Sequence, residues 1–223
     1  GLAFSNLIYI KRLYDGFRLT KLDFSLLKPR FKFMSNSYIL NVLSSLGGII
    51  DKLLIAPLLG FALLGNYVLG FQFNSLIAMF GVTVYQYIVP QYASGISNTK
   101  LRSGTILLTA LLSIIAIFTA PIIIPIVFPD YDESIQVVQI LSIMAVPQII
   151  SMMYRAQFVG YEKNKYVVFG SVLGLSIQIP SIIILGWNFG INGVAIAMLL
   201  SSSIGCSYTV FINKKLSKEG LFD

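Results

Sequence analysis

Four stretches of more than 20 residues carry no formal charge: residues 53–99, 103–129, 134–154 and 166–213. A membrane-crossing helix needs about 20 apolar residues, so the first and last of these stretches are long enough for two crossings each. The pattern predicts six spans, at about 35–59, 66–92, 104–128, 134–159, 166–187 and 191–213. The breaks between them, at 60–65, 95–102, 129–133, 160–165 and 188–190, hold the Gly, Pro or charge that stops a helix. The expected fold is therefore all-α and integral to a membrane, a six-transmembrane-helix bundle.

Composition agrees. The chain is 56% hydrophobic and 11% charged, with mean hydropathy +0.81, whereas a soluble domain carries about 25% charged residues. The basic residues are also segregated. Seven lie in residues 11–34, two in the break at 95–102, two at 160–165 and three in the tail, which is 14 of the 16. With six spans all of these fall on one side, and the opposite breaks hold only Asp130, Asp132 and Glu133. The positive-inside rule then puts both ends in the cytoplasm. Residues 1–10 read as the end of a preceding span, 11–34 as a basic cytoplasmic or interfacial segment drawn to anionic membrane lipid, 35–213 as the six-span unit and 214–223 as a cytoplasmic tail.

Polar residues inside the spans are the candidates for function, because a charge at the bilayer centre costs about 2.5–3.5 kcal/mol on insertion scales. Asp51 and Lys52 stand out. On a helix, positions three and four apart share a face, so Ser37, Asn41, Ser44, Gly48 and Asp51 form a polar track along the first span. Leu43 and Ile50 fall on the opposite, lipid or packing face. Asp51 lies about 12 Å from the end near Leu59. The track is read either as the wall of a solvated cavity or as close helix packing with a structural ion pair. Weaker tracks are Gln72, Ser75 and Gln86 on the second span, Gln148, Ser151 and Arg155 on the fourth, and Ser171, Gly174, Gln178 and Ser181 on the fifth. Arg155 is about 9 Å from its break, close enough to snorkel to the interface. The run Ser201–Ser203 with Gly205 reads as a packing seam.

The chain has no histidine, which removes the commonest general base and zinc ligand. No phosphate-binding loop, nucleophile elbow or paired-cysteine motif is present, so neither catalytic residues, metal nor cofactor is expected. Nucleic-acid binding would need a basic face on a folded soluble domain, and the basic residues here serve topology.

The segment Asp51-Lys52-Leu-Leu-Ile-Ala-Pro-Leu-Leu-Gly60, continuing through Ala62-Leu-Leu-Gly65-Asn-Tyr67-Val-Leu-Gly70-Phe71, resembles the second half of polysaccharide-biosynthesis flippases. These belong to the multidrug/oligosaccharidyl-lipid/polysaccharide exporter superfamily. Pro129-Asp-Tyr131, Gly160-Tyr-Glu-Lys163 and Phe189-Gly190-Ile-Asn-Gly193-Val-Ala195-Ile-Ala197 resemble further motifs of that family in the same order. The resemblance covers about residues 36–215. It implies one lobe of a two-lobe transporter, its partner being a first lobe absent from this sequence. It also implies a lipid-linked oligosaccharide substrate moved by alternating access, without enzymatic chemistry. Under that reading Lys52 is the candidate phosphate partner, with Asp51, Asn41, Ser44, Gln72, Gln178 and Arg155 as further substrate-binding or transport candidates. The rival within the superfamily is a cation-coupled multidrug extruder, which needs acidic residues in the spans, where only Asp51 is available. A membrane glycosyltransferase needs larger external loops than this chain has.

Overall fold

The computed structural model describes residues 31–219, apart from the side chains of residues 32, 33, 36 and 44 inside the first helix. The readings of 1–10 as the end of a span, of nearly all of 11–34 as an interfacial segment, and of the last four residues of the tail lie outside the described residues. The described residues from Asn36 onward form one compact unit.

That unit is built from helices alone among the described residues. They are α1 (Phe31–Gly47), α2 (Ile50–Leu59), α3 (Phe61–Ala93), α4 (Thr99–Val127), α5 (Ser134–Gly160) and α6 (Asn164–Lys218), with a short 3-10 turn at Pro129–Tyr131. Five helical stretches among them are long and apolar enough to cross a membrane, α1 and α2 counting as one. Their outer faces are strongly apolar: Phe61, Ile126, Trp187, Leu107 and Phe118 all stand exposed, in numbers that a water-soluble surface does not tolerate.

Two elements differ from the sequence expectation. The first span is not continuous, because α1 ends at Gly47 and α2 begins at Ile50. The connection expected at 60–65 shrinks to Gly60 alone, whose φ of 91° reverses the chain between α2 and α3; such a φ is open to glycine at little cost.

The last helix joins the two spans expected at 166–187 and 191–213. A straight helix of 55 residues would run about 80 Å, far beyond the ~30 Å apolar core of a bilayer. Gly190 interrupts it with φ 58° and ψ −142°, a conformation almost confined to glycine. Residues on either side then meet. Gln178 Nε2 lies 3.1 Å from Met198 Sδ, the rings of Phe169 and Tyr208 are 5.5 Å apart, and the Leu185 carbonyl occupies the place of a Cβ on Gly193. The two halves of α6 therefore fold back on each other at Gly190.

The central element is α5, which packs against α3, α4 and α6. Its glutamines fasten it to all three. Gln148 accepts from Asn74 of α3 at 3.3 Å, Gln139 donates to the Ile117 carbonyl of α4 at 3.1 Å, and Gln136 and Gln157 accept from Asn192 and Asn213 of α6 at 2.6 and 2.9 Å. In an apolar surround such amide pairs are directional ties, each worth about 0.6–2 kcal/mol. Between them lies the apolar core, with Val137, Leu141, Ile149 and Met153 wholly buried on α5. Against α3 the fit relies on absent side chains: Gly70 faces Val137, Gly81 faces Ile149 and Gly160 faces Tyr92. By contrast, α1 has few neighbours and most of its described side chains are exposed.

Candidate functional site

The polar face of α5 opens into empty space. Gln148, Ser151 and Arg155 point into a cavity of about 300 Å³ walled by Leu43, Gly47 and Gly48 of the first span, Phe71 of α3, and both halves of α6. The α6 contribution is mostly small and polar, with Gly170, Ser171, Gly174 and Gln178 from one half and Ser201, Ser202 and Gly205 from the other, beside the apolar Leu175 and Met198. A Cβ added at Gly174 or Gly205 would meet nothing within 4 Å. These positions keep volume open, so Ser201, Ser202 and Gly205 are cavity wall and not the packing seam expected from sequence.

A second cavity of about 540 Å³ adjoins the first and shares Gln148, Arg155 and Ser171 with it. Ser37, Leu40 and Asn41 of α1 form one side, Val82, Tyr85 and Gln86 of α3 another. At its end Asn164, the second residue after the Gly160-Tyr161-Glu162 turn to face it, donates to Ser37 Oγ at 2.8 Å.

Arg155 stands where the two cavities meet. Its guanidinium lies near the Tyr85 hydroxyl and the Cys206 thiol, and its buried Nε has no hydrogen-bond partner. No carboxylate lines either cavity, and none pairs with Arg155 among the described residues. The side chain thus does not simply reach for an interface, as snorkelling would require. It presents a cation, with spare donors, to a space lined by hydroxyls and amides. An arginine fork of this kind matches phosphate and carboxylate oxygens.

The charged pair of the first span, Asp51 and Lys52, has a different environment. Asp51 is wholly buried and lines none of the cavities described. Its Oδ2 accepts from the Tyr67 hydroxyl at 2.7 Å and its Oδ1 from the Lys52 backbone N–H at 2.8 Å. Lys52 Nζ lies 3.6 Å from the same Oδ1, donates to the Gly48 carbonyl at 2.8 Å and sits 4.3 Å above the Phe71 ring. The expectation that Asp51 faces a central cavity does not match this geometry, because Tyr67 closes over the carboxylate. Lys52 reaches the cavity edge only through Gly48 and Phe71.

The remaining candidates divide. Gln178 and Asn41 line the first and second cavities respectively, while the Ser44 side chain lies outside the description. Gln72 is exposed and lines a separate groove of about 410 Å³ with Phe61, Leu64, Val68, Phe128 and Tyr131, so the polar track of the second span does not act as one face. Leu43, expected on a lipid or packing face, lines the first cavity instead, and Leu40 lines the second.

Tyr67, Phe71 and Tyr85 escaped the sequence reading because aromatic residues in a span look like lipid-facing bulk. A signal existed for Tyr67 and Phe71. Folding the hairpin at Gly60 puts residues eight to ten before it beside residues seven to eleven after it. The chain matches no protein-family model, no curated protein and no solved structure.

Proposed function

We propose that this chain is one lobe of a two-lobe membrane flippase that carries a lipid-linked oligosaccharide across the cell membrane by alternating access. In this reading it crosses six times with both ends cytoplasmic. The fold-back of α6 at Gly190 and the one-sided placement of basic residues support that count. The first lobe is its protein partner, and the basic segment 11–34 lies against anionic lipid.

The observation that carries the proposal is Arg155, a cation without a carboxylate partner among the described residues, at the junction of two cavities lined by Gln148, Gln178, Asn41, Ser151 and Ser171. A sugar chain needs hydroxyl and amide partners, and its phosphate link needs a cation. The lipid tail needs neither and stays in the bilayer. Transport of a cationic drug would instead call for an available carboxylate, whereas both oxygens of Asp51 are engaged by Lys52 and Tyr67.

The test is translocation of a lipid-linked oligosaccharide in cells whose natural chain is replaced by Arg155→Ala or Arg155→Lys at matched membrane abundance. A charge-assisted hydrogen bond is worth about 1.5–3 kcal/mol, so Arg155→Ala should slow translocation about 10- to 100-fold. Arg155→Lys keeps the charge without the fork and should fall between. Translocation unchanged by Arg155→Ala would overturn the proposal.

A further inference from the structure

The first span has a missing rung, and the Asp51-Lys52 pair replaces it. In a continuous helix the Lys52 N–H would donate to the Gly48 carbonyl. Here the N–H turns to Asp51 Oδ1 at 2.8 Å, and the vacated carbonyl is taken by Lys52 Nζ, also at 2.8 Å. The neighbouring bonds show how local the break is. Ile49 N–H tightens onto the Leu46 carbonyl, three residues back, at 3.1 Å, while Leu53 N–H to the Ile49 carbonyl, at 3.0 Å, is already regular. The two groups parted at this rung, the Lys52 N–H and the Gly48 carbonyl, thus find side-chain partners in the same dipeptide, which lowers the cost of a break inside an apolar medium.

The same two side chains tie the break to α3. Tyr67 holds Asp51, and the Phe71 ring, one turn further on, lies under the Lys52 ammonium. Their opposite charges leave the cluster neutral, which lowers the cost of burying it. Beyond the break, α1 continues as the wall of both cavities, through Leu43 and Gly47 in one and Leu40 and Asn41 in the other.

We propose that Asp51 and Lys52 are positioning residues that set the angle at which α1 leaves the α2–α3 hairpin, and with it the width of the space between α1 and α3 that Arg155 overlooks. Only the consequence for transport rests on the flippase reading; the geometric role stands without it. Removing Nζ leaves the Gly48 carbonyl without a partner, so the Lys52 N–H exchanges Asp51 Oδ1 for that carbonyl, and the rung re-forms with α1 straightened. The effect of the pair on substrate then comes through the shape of the cavity, with no contact by Lys52.

Crosslinking across the second cavity reads this directly. On a Cys206→Ser background of the full chain in membranes, Asn41→Cys and Gln86→Cys are bridged with bis-thiol reagents of graded length, without substrate. Losing one hydrogen bond in an apolar medium corresponds to a shift in populations of about 3- to 30-fold. Lys52→Met should therefore move the preferred reagent length by that factor in relative yield. Lys52→Arg, whose guanidinium reaches the same carbonyl and stacks on Phe71, should restore the original preference. Because Lys52→Met leaves the Asp51 charge unbalanced, the neutral double variant Asp51→Asn/Lys52→Met serves as companion and should show the same shift. An unchanged crosslinking profile in both variants overturns the proposal. If translocation of lipid-linked oligosaccharide is nonetheless lost with that profile unchanged, Lys52 acts on the substrate itself. A shifted profile with Arg155→Ala fully active would leave the positioning role intact and sink the flippase reading instead.

Discussion

Replacing Gly160 with alanine loads the seam between α3 and α5 on which the cavity face of α5 depends. A Cβ at this position would collide with Tyr92 Cβ and approach Ala93 N and Val89 O at 3.1 Å each. Two of these are backbone atoms and the third is the root of a side chain, so no rotamer change relieves the contact and the helices must part. Overpacking of this kind costs about 1–3 kcal/mol, from which the helix preference of alanine over glycine returns about 0.5–1 kcal/mol. A net loss of up to about 2.5 kcal/mol follows. At Gly81 the obstruction is the far end of the Ile149 side chain, which can turn away, so Gly81→Ala should lose less. At Gly104 nothing lies within 4 Å, and Gly104→Ala should be neutral or slightly stabilising. Unfolding of the purified chain in mixed micelles by dodecyl sulfate titration, followed by circular dichroism, gives the three free-energy changes. The ordering is the prediction, and Gly160→Ala matching Gly104→Ala in stability would refute the seam as described.

Tyr67→Phe strands Asp51 Oδ2 in the core and should cost about 1–3 kcal/mol in the same titration; an unperturbed midpoint would show that the hydroxyl does not hold the carboxylate. A double-mutant cycle on Gln157→Leu and Asn213→Leu should return a coupling of about 0.6–1.7 kcal/mol, and additive effects would remove that tie from α5. Gly190→Ala forces a side chain into a backbone conformation at φ 58° and should destabilise by about 1–3 kcal/mol, whereas wild-type stability would mean that the α6 turn does not need glycine. Cysteines at Asp132 and Lys163, introduced one at a time on a Cys206→Ser background, should label from opposite faces of the membrane, and labelling of both from one face would sink the six-crossing topology.

The all-helical, membrane-compatible character of this chain was legible in one dimension. Runs without charge have to be helices that satisfy their own backbone when no water is near, and Gly60 and Gly190 mark ends because glycine's local chemistry acts whatever surrounds it. Periodicity also placed Gln148, Ser151 and Arg155 on one face, and Ser171, Gly174 and Gln178 on another, since a helix fixes which of its own residues are neighbours. It did not say what those faces meet. Arg155 read from the sequence as a snorkelling cation, and only the convergence of α1, α3, α5 and α6 around it shows a cavity. Asp51 went the other way: its polar track suggested a wet groove, but Tyr67, sixteen residues on, closes over the carboxylate across the hairpin. Gly205 looks like a packing residue in the sequence and is an opening in the fold, because absence of a side chain permits either contact or space, and the neighbouring helix decides which. Local chemistry thus determined where helices lie and stop, while the use made of each polar or small side chain was settled by partners brought from far along the chain.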